Sequence, residues 1–329
     1  MSDRVLAWGL LGTAHINRSL IPPLRVSPGN RLVAVASREA KKAQAYAREW
    51  GIERAHGSYQ ALVEDPAIDV VYVPLPNHLH AEWAIRAAQA GKHVLCEKPL
   101  ALSVDEVDRI EAAARAAKVL VTEAFMYRHH PQTLKVKELV ADGAIGAVRL
   151  VRGSFSYSHS RANDVRLRPE WGGGCLWDIG CYPLSFARFV LGSEPLVAFG
   201  SAVTGATGID ESFAAQLSFP GDVLVQIDAS FRSPLRARFE VVGTTGVVEV
   251  RHPWRPRADE PILLRRLSGN ESVAAGSGER YRLEIEDLRE AIVNARAPRV
   301  SLAESRGNVG TISALLQSAR EGRPIRLAS

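Results

Sequence analysis

The sequence predicts an α/β protein of two domains: an N-terminal doubly wound parallel sheet, then an α+β domain with a large, mostly antiparallel sheet. Three observations predict this. From Val5 to Thr122 short apolar runs alternate with stretches of helical periodicity, the pattern of βαβ units on a parallel sheet. From about Glu123 the pattern changes to successive β-rich runs separated by Gly-containing turns such as Pro220-Gly221, which reads as antiparallel sheet. A chain of 329 residues is long enough for two domains with a core each. The expected division is residues 1–122 and 123–329.

In order, Val5 to Leu11 is a first strand, followed by the turn Gly12-Thr13-Ala14-His15-Ile16 and a helix from His15 to Val26. Arg31 to Ser37 is a buried strand, Glu39 to Trp50 a helix with a turn at Gly51, and Asp69 to Val73 a strand. Two prolines in Pro74-Leu75-Pro76-Asn77 prevent a helix until Asn77, a plausible N-cap for His78 to Ala90. His93 to Cys96 is a strand, Ser103 caps a helix to about Lys118, and Val119 to Thr122 is the last strand of the first domain. In the second half, helices are expected over 132–142 and 183–191, strands over 148–157, 196–204, 212–219, 223–231, 236–242 and 247–250, and closing helices over 282–295 and 302–320. An antiparallel sheet covered by helices on one face leaves the other for a dimer or tetramer contact.

Composition excludes several classes. Lys and Arg number 41 against 36 Asp and Glu, a net charge of +5, but the cations form no patch or stripe of the kind nucleic acid requires. An anionic cofactor suits this balance better. The three cysteines, Cys96, Cys175 and Cys181, have no metal-ligand spacing and read as reduced thiols of a cytoplasmic protein; no metal is expected. Met1-Ser2-Asp3-Arg4 runs into the first strand without signal-peptide architecture, and no apolar window is long enough to span a membrane.

Four stretches carry chemistry. Glu97-Lys98-Pro99 ends a strand expected to be buried, and ligands in such folds bind beyond the carboxyl ends of the strands; Lys98 would place an ammonium at the floor of that crevice. Gly12-Thr13-Ala14, with Gly9 before it and His15-Ile16 after, is a degraded form of G-x-G-x-x-G at the first βα turn, where a helix N-terminus holds a pyrophosphate. The second strand ends Ser37-Arg38, with Lys42 one turn on. A carboxylate there would select a ribose hydroxyl, whereas Arg accommodates a 2′-phosphate; NADP is favoured, and Glu39 beside it leaves NAD open. Finally, Trp171-Gly172-Gly173-Gly174-Cys175-Leu176-Trp177-Asp178-Ile179-Gly180-Cys181-Tyr182 joins glycines that permit close backbone approach to Asp178 and Tyr182, which share a face on a helix.

Glu97-Lys98-Pro99, the turn from Gly9 to Ala14, Glu123-Ala124-Phe125-Met126-Tyr127-Arg128, and the Gly172-Gly173-Gly174 to Tyr182 run together resemble the Gfo/Idh/MocA oxidoreductases over essentially the whole chain. The likeness is to the branch with glucose–fructose oxidoreductase, dimeric dihydrodiol dehydrogenase and xylose dehydrogenase, since Tyr182 stands where many members have His. The resemblance implies that Lys98 orients the substrate hydroxyl and that Tyr182 is the acid–base group. It further implies that Asp178 holds the substrate or orients the pair, that Glu97 supports the nicotinamide ribose, and that Pro74, Asn77 and His80 belong with the cofactor-binding residues. Arg128, Asn163 and Arg166 are the further substrate-binding candidates. A phenol of pKa about 10 is a poor base at neutral pH, and a nearby ammonium lowers it. The expected function is an NADP-preferring dehydrogenase or reductase of a sugar or related polyol, on a Rossmann-type domain. Its rivals are a hydrolase that keeps a bound nicotinamide and a ligand sensor without catalysis.

Overall fold

A computed structural model describes residues 4–160, 163–257 and 260–327. The expected start of the chain, Met1-Ser2-Asp3, lies outside the described residues. Contacts divide the chain into two units, Met1–Met126 with Glu279–Arg306, and Tyr127–Gly278 with Gly307–Ser329. The structure therefore differs from a single boundary at residue 122: the chain leaves the first unit after Met126 and later returns to it.

The first unit is a six-stranded parallel sheet in the order β3-β2-β1-β4-β5-β6. Its elements are β1 (Leu6–Leu11), α1 (Asn17–Val26), β2 (Asn30–Ala36), α2 (Ala40–Trp50), β3 (Arg54–His56), α3 (Tyr59–Val63), β4 (Val70–Val73), α4 (His80–Gln89), β5 (His93–Glu97), α5 (Val104–Ala117) and β6 (Val121–Ala124). Every residue of β1 and β4 is buried, as expected of strands covered on both faces. Local chemistry sets the helix ends. Gly51 closes α2 in the left-handed region, and Ser103 caps α5 through the Glu106 N–H while Glu106 reaches back to the Leu102 N–H. The edge strand β3 was not expected, because Arg-Ala-His carries no apolar run; its pairing with β2 defines it.

The second unit holds α6 (Pro131–Ala141), β7 (Val148–Ser156), α7 (Cys181–Leu191), β8 (Val197–Thr204), β9 (Asp210–Phe219), β10 (Val223–Ser230), β11 (Arg236–Gly243), β12 (Gly246–Val250), β13 (Ile262–Arg266) and β14 (Gly269–Val273). After α8 (Arg280–Val293) and α9 (Leu302–Glu321), the short β15 (Ile325–Arg326) completes its nine-stranded sheet, β14-β13-β12-β11-β7-β10-β9-β8-β15. All pairs are antiparallel except β7 with β10. The two faces separate row by row. Ala198, Leu217, Val225, Val151, Val241, Val248 and Leu264 lie opposite one another across seven strands, and all are buried. The next row, Phe199, Gln216, Gln226, Arg152, Glu240 and Glu249, points the other way, which is the period-2 alternation of a sheet with one packed face. Trp254 is fully buried and its indole N–H donates to the Ser154 carbonyl at 3.2 Å.

Helix α8 belongs to the first unit. Tyr281, Ile285, Leu288 and Ala291 form one buried stripe, α8 packs on α1, Thr122 donates to the Val300 carbonyl at 2.8 Å, and Arg306 pairs with Asp108 at 2.7 Å. Periodicity marks α8 as a helix but does not say which sheet its stripe covers.

Candidate active site

In the first unit the chain runs outward from β1 through β2 to β3, then outward the other way from β4 through β5 to β6. The switch point of this doubly wound sheet is therefore between β1 and β4, where ligands bind beyond the strand ends. Gly12 takes a φ of 125°, and a Cβ there would lie 3.2 Å from Leu75, on the loop after β4. Asn17 is fully buried and its amide donates to the Gly12 carbonyl at 2.9 Å, so the residue in the third-glycine position braces the turn. Helix α1 has no side-chain cap and no acidic residue in its first turn. The N–H groups of Asn17, Arg18 and Ser19 bond to the carbonyls of Ala14, His15 and Ile16, so the dipole end of α1, with no competing carboxylate in its first turn, is what this turn offers a pyrophosphate.

At the end of β2, Ser37 is buried and accepts the Glu39 N–H at 3.4 Å, while Arg38 and Lys42 are exposed. Among the described residues neither cation forms an ion pair. Arg38 also pulls the Tyr59 phenol downward, although burial leaves that pKa raised overall. Residues Thr13, Ala14, Ile16 and Asn77 are half-buried, His15 is exposed and Pro74 is buried.

The strand end that carries Glu97 and Lys98 is held from several sides. Tyr72, on β4, donates its phenol to Glu97 Oε1 at 2.6 Å, and the Lys98 N–H donates to Glu97 Oε2 at 3.3 Å. Beyond the cis Lys98–Pro99 bond, Glu123 at the end of β6 accepts the Leu100 N–H at 2.9 Å. His80, the first residue of α4, places its two ring nitrogens 2.7 Å from the carbonyls of Pro99 and Leu75. Burial pushes this imidazole down to about 4, against the upward pull of the two carbonyls.

His80 is fully buried, so the structure corrects its expected role: it ties the Pro99 turn to the loop after β4 and offers no surface to a cofactor. Gly9 is corrected likewise. It lies inside β1, where a Cβ would come within 2.9 Å of Leu62, and makes room for α3.

In the second unit the Gly172 to Tyr182 run is not one α-helix. Leu176–Gly180 is a π-helical turn that leads into α7, a local widening that often marks functional sites. Two of the three glycines serve the protein's own packing. A Cβ on Gly173 would meet the Arg166 carbonyl at 2.5 Å, and one on Gly174, at φ 120°, would overlap the Asp210 carboxylate. Gly153 on β7 lets α7 approach, since a Cβ there would be 2.5 Å from Pro183.

Asp178 accepts the Arg166 Nε–H at 2.9 Å and the Tyr157 phenol at 3.0 Å. Arg166 is bonded in turn to Asp164 at 3.0 Å, and the Asp178 charge first of all holds its pKa high. Burial pushes Asp164 up, but the Arg166 N–H and guanidinium outweigh it and hold the carboxyl below its usual range.

Tyr182 is 6% exposed and packs among Tyr127, Phe155 and Trp254 at centroid distances of 5.6, 5.5 and 5.8 Å, while the Tyr127 phenol donates to its carbonyl at 3.2 Å. Such contacts contribute about 0.5–1.5 kcal/mol each beyond area and fix the ring. Arg128 is corrected: 3% exposed, it lies over the Phe189 ring at 3.9 Å and donates to Ser185 at 3.3 Å, supporting α7. Asn163 is exposed beside Asp164. The sequence reading missed Tyr157, Tyr72 and Asp210, whose only signal is strand alternation.

Comparison with known proteins decides the family. Residues 6–125 match the model of the oxidoreductase family with an NAD-binding Rossmann fold, and residues 133–249 match the GFO/IDH/MocA C-terminal domain. The chain belongs to the GFO/IDH/MocA oxidoreductase family. It is 36% identical over 326 residues to the D-xylose 1-dehydrogenase (NADP(+)) 2 of Haloferax volcanii, covering 98% of this chain and 100% of that one. It is 34% identical over 332 residues to the dTDP-3,4-didehydro-2,6-dideoxy-alpha-D-glucose 3-reductase of Streptomyces violaceoruber, covering 99% and 96%. Among solved structures, the aldose-aldose oxidoreductase of Caulobacter crescentus with glycerol is similar at a TM-score of 0.90 and 29% identity, covering 98% of this chain and 100% of that one. The 3-ketoreductase of Actinomadura kijaniata with NADP and TDP-benzene is similar at 0.89 and 30%, covering 96% and 98%. As a member of this family the chain is an oxidoreductase with an NAD-binding Rossmann domain. No helix among the described residues is long and apolar enough to cross a membrane.

Proposed function

We propose that this chain is an NADP-preferring dehydrogenase or reductase acting between the carbinol and carbonyl states of one carbon of a sugar or related polyol, with Lys98 and Tyr182 as its acid–base pair. The observation that carries the reading is the set of groups at the strand ends of the parallel sheet. An uncapped α1 N-terminus, the cations Arg38 and Lys42 at the tip of β2, and Lys98 at the tip of β5 all belong to that one edge. The relatives named above as NADP-dependent xylose dehydrogenase and sugar ketoreductase support the cofactor and the substrate class.

A bound nicotinamide supplies the hydride acceptor or donor; the protein has to bind, orient and move a proton. In this reading α1 holds the pyrophosphate, Arg38 with Ser37 and Lys42 takes the 2′-phosphate, and Glu97, steadied by Tyr72, supports the ribose. Lys98 orients the reacting hydroxyl and favours the phenolate of Tyr182, which takes the proton in oxidation and returns it in reduction. Asp178, with Arg166 and Tyr157 on it, offers the dense polar pairing that distinguishes one hydroxyl pattern from another. The three cysteines are free and buried, which suits a cytoplasmic setting.

The reading includes a homodimer or homotetramer formed through the outward face of the nine-stranded sheet. That face carries Phe199, 39% exposed, beside the cross-strand pairs Arg152–Glu240 at 3.2 Å and Arg236–Asp228 at 2.9 Å around a concavity of about 730 Å³. Such a face can meet itself about a two-fold axis.

The test is a fluorescence titration with NADPH and NADH on wild type and Arg38→Ala, followed by turnover of aldoses and polyols by wild type and Lys98→Met. Tighter NADPH binding that weakens about ten- to a hundredfold in Arg38→Ala, with turnover lost and cofactor binding kept in Lys98→Met, is the expected result. Equal binding of both cofactors, unchanged by the mutation, overturns the NADP assignment. Turnover that survives Lys98→Met overturns the acid–base pair.

A further inference from the structure

Asp210 is the first residue of β9, outside the functional motifs, yet it lies against the turn that carries Asp178 and leads into Tyr182 of α7. It is 8% exposed, and its Oδ2 accepts the Leu176 N–H at 2.7 Å and the Cys175 thiol at 3.2 Å. Leu176 opens the helical run that continues through α7, and its N–H is among the donors such a run leaves without an internal partner. Gly174 passes so close to Asp210 that no side chain fits between them. On the adjacent β10, Ala229 would lie 3.3 Å from a Cβ on Gly180, and its carbonyl is 3.4 Å from the Cys175 sulfur. The π-helical turn is thus held against the first residue of β9 and the end of the adjacent β10.

We propose that Asp210 is a positioning residue for the reaction: its buried carboxylate caps the π-helical turn and fixes the direction in which Asp178 and Tyr182 project. The proposal rests on the reading of Tyr182 as the acid–base group. A charged cap is stronger than a neutral one, because a carboxylate bonds N–H donors and opposes the helix dipole. Activity therefore depends on the charge of Asp210. Burial raises its carboxyl to about 6, partly offset by the Leu176 N–H and the Cys175 thiol.

The charged and titratable groups around it are few. The Cys175 thiol is pushed well up, by burial first and then by Asp210 itself, and stays a proton donor. Asp178 acts on Cys175 and is held by Arg166. Glu211, next on β9, is drawn to Arg232 at 3.6 Å, and Asp228 on β10 pairs with Arg236 at 2.9 Å. As pH falls through the Asp210 pKa, the cap loses its charge and turnover declines.

The experiment compares wild type, Asp210→Asn, Cys175→Ala and Tyr182→Phe. It measures kcat and KM against pH, melting temperature, and hydrogen exchange of peptides spanning residues 174–182. Asp210→Asn is expected to melt near wild type, since an amide is cheaper to bury than a carboxylate. Its kcat falls about ten- to a hundredfold with a smaller change in KM, the scale of a catalytic group misplaced by about 1 Å. The acid limb near pH 6 disappears and exchange over the turn rises. Cys175→Ala removes a donor to the charged form, so the limb moves to higher pH. An Asp210→Asn protein with wild-type kcat and unchanged exchange overturns the proposal, as does a Cys175→Ala profile that superposes on wild type. Full turnover by Tyr182→Phe overturns the underlying assignment instead, and the exchange data still decide for or against the cap.

Discussion

The turn after β5 and the turn before α7 carry the two halves of the proposed chemistry, and they are held in different ways. Around Lys98 the supports come from neighbouring elements of one parallel sheet. Tyr72 lies on the adjacent β4, Glu123 on the adjacent β6, and His80 opens the helix between β4 and β5. Around Tyr182 the supports come from distant parts of the chain: Asp210 from β9, Gly153 from β7, Tyr127 from before α6, and Trp254 from beyond β12. A sheet built from successive βαβ units delivers its supports in sequence order. A mixed sheet gathers them over a hundred residues or more, as in the 100-residue separation of Trp254 from Ser154.

Four substitutions break or sharpen this contrast. The largest effect is expected from Gly174→Ala, which places a side chain at φ 120° against the Asp210 carboxylate. Strain of about 1–3 kcal/mol at such a φ adds to the overlap, and kcat should fall at least a hundredfold, read by steady-state turnover with circular dichroism as the control for folding. His80→Ala comes next, on the other side of the comparison. It takes the one N–H donor of the neutral ring from a buried carbonyl, at about 1–3 kcal/mol, measurable as a drop in the urea midpoint; the supports of β5 being local, the loss should stay within the first unit. Arg166→Ala takes the guanidinium from Asp178, with a cost of about 1–3 kcal/mol for a charge-assisted bond. Its KM for substrate should rise while NADPH affinity stays at the wild-type value.

The smallest effect is expected from Glu284→Gln. Glu284 on α8 is 1% exposed, and among the described residues neither of its carboxyl oxygens has a hydrogen-bond partner. Burial first, and then Glu97 nearby, raises its pKa well above that of a free carboxyl. The folded state keeps a proton that the unfolded chain releases, so stability falls as pH rises above the unfolded value near 4.5. Glu284→Gln removes that slope: it should melt about 2–4 °C higher at pH 8 and like wild type at pH 4. An unchanged difference between the two pH values would show that Glu284 does not hold the proton.

The legible parts of the sequence were those written in local pattern. The βαβ alternation, the cap at Ser103, the Gly12 turn and the Glu97-Lys98-Pro99 strand end all appear where apolar period and turn residues put them. The strands β3 and β14 escaped, because Arg-Ala-His and Gly-Asn-Glu-Ser-Val have no apolar run to announce a strand, and β13 escaped with its hairpin partner although it opens on Ile262-Leu263-Leu264. His80 and Arg128 were legible as notable residues and illegible as to task, since a polar side chain in sequence carries no sign of its burial. The three glycines before Cys175 read as room for a ligand, yet room for Asp210 and for the Arg166 carbonyl accounts for two of them.

By itself the sequence determined the parallel sheet of the first unit and the mostly antiparallel sheet of the second, because hydrophobic period and turn chemistry act over a few residues. Only the tertiary structure decided that α8 completes the first unit, that His80 holds a turn, and that Asp210 lies under the Tyr182 helix. Those outcomes depend on which buried polar group finds which partner, and that is settled by long-range packing.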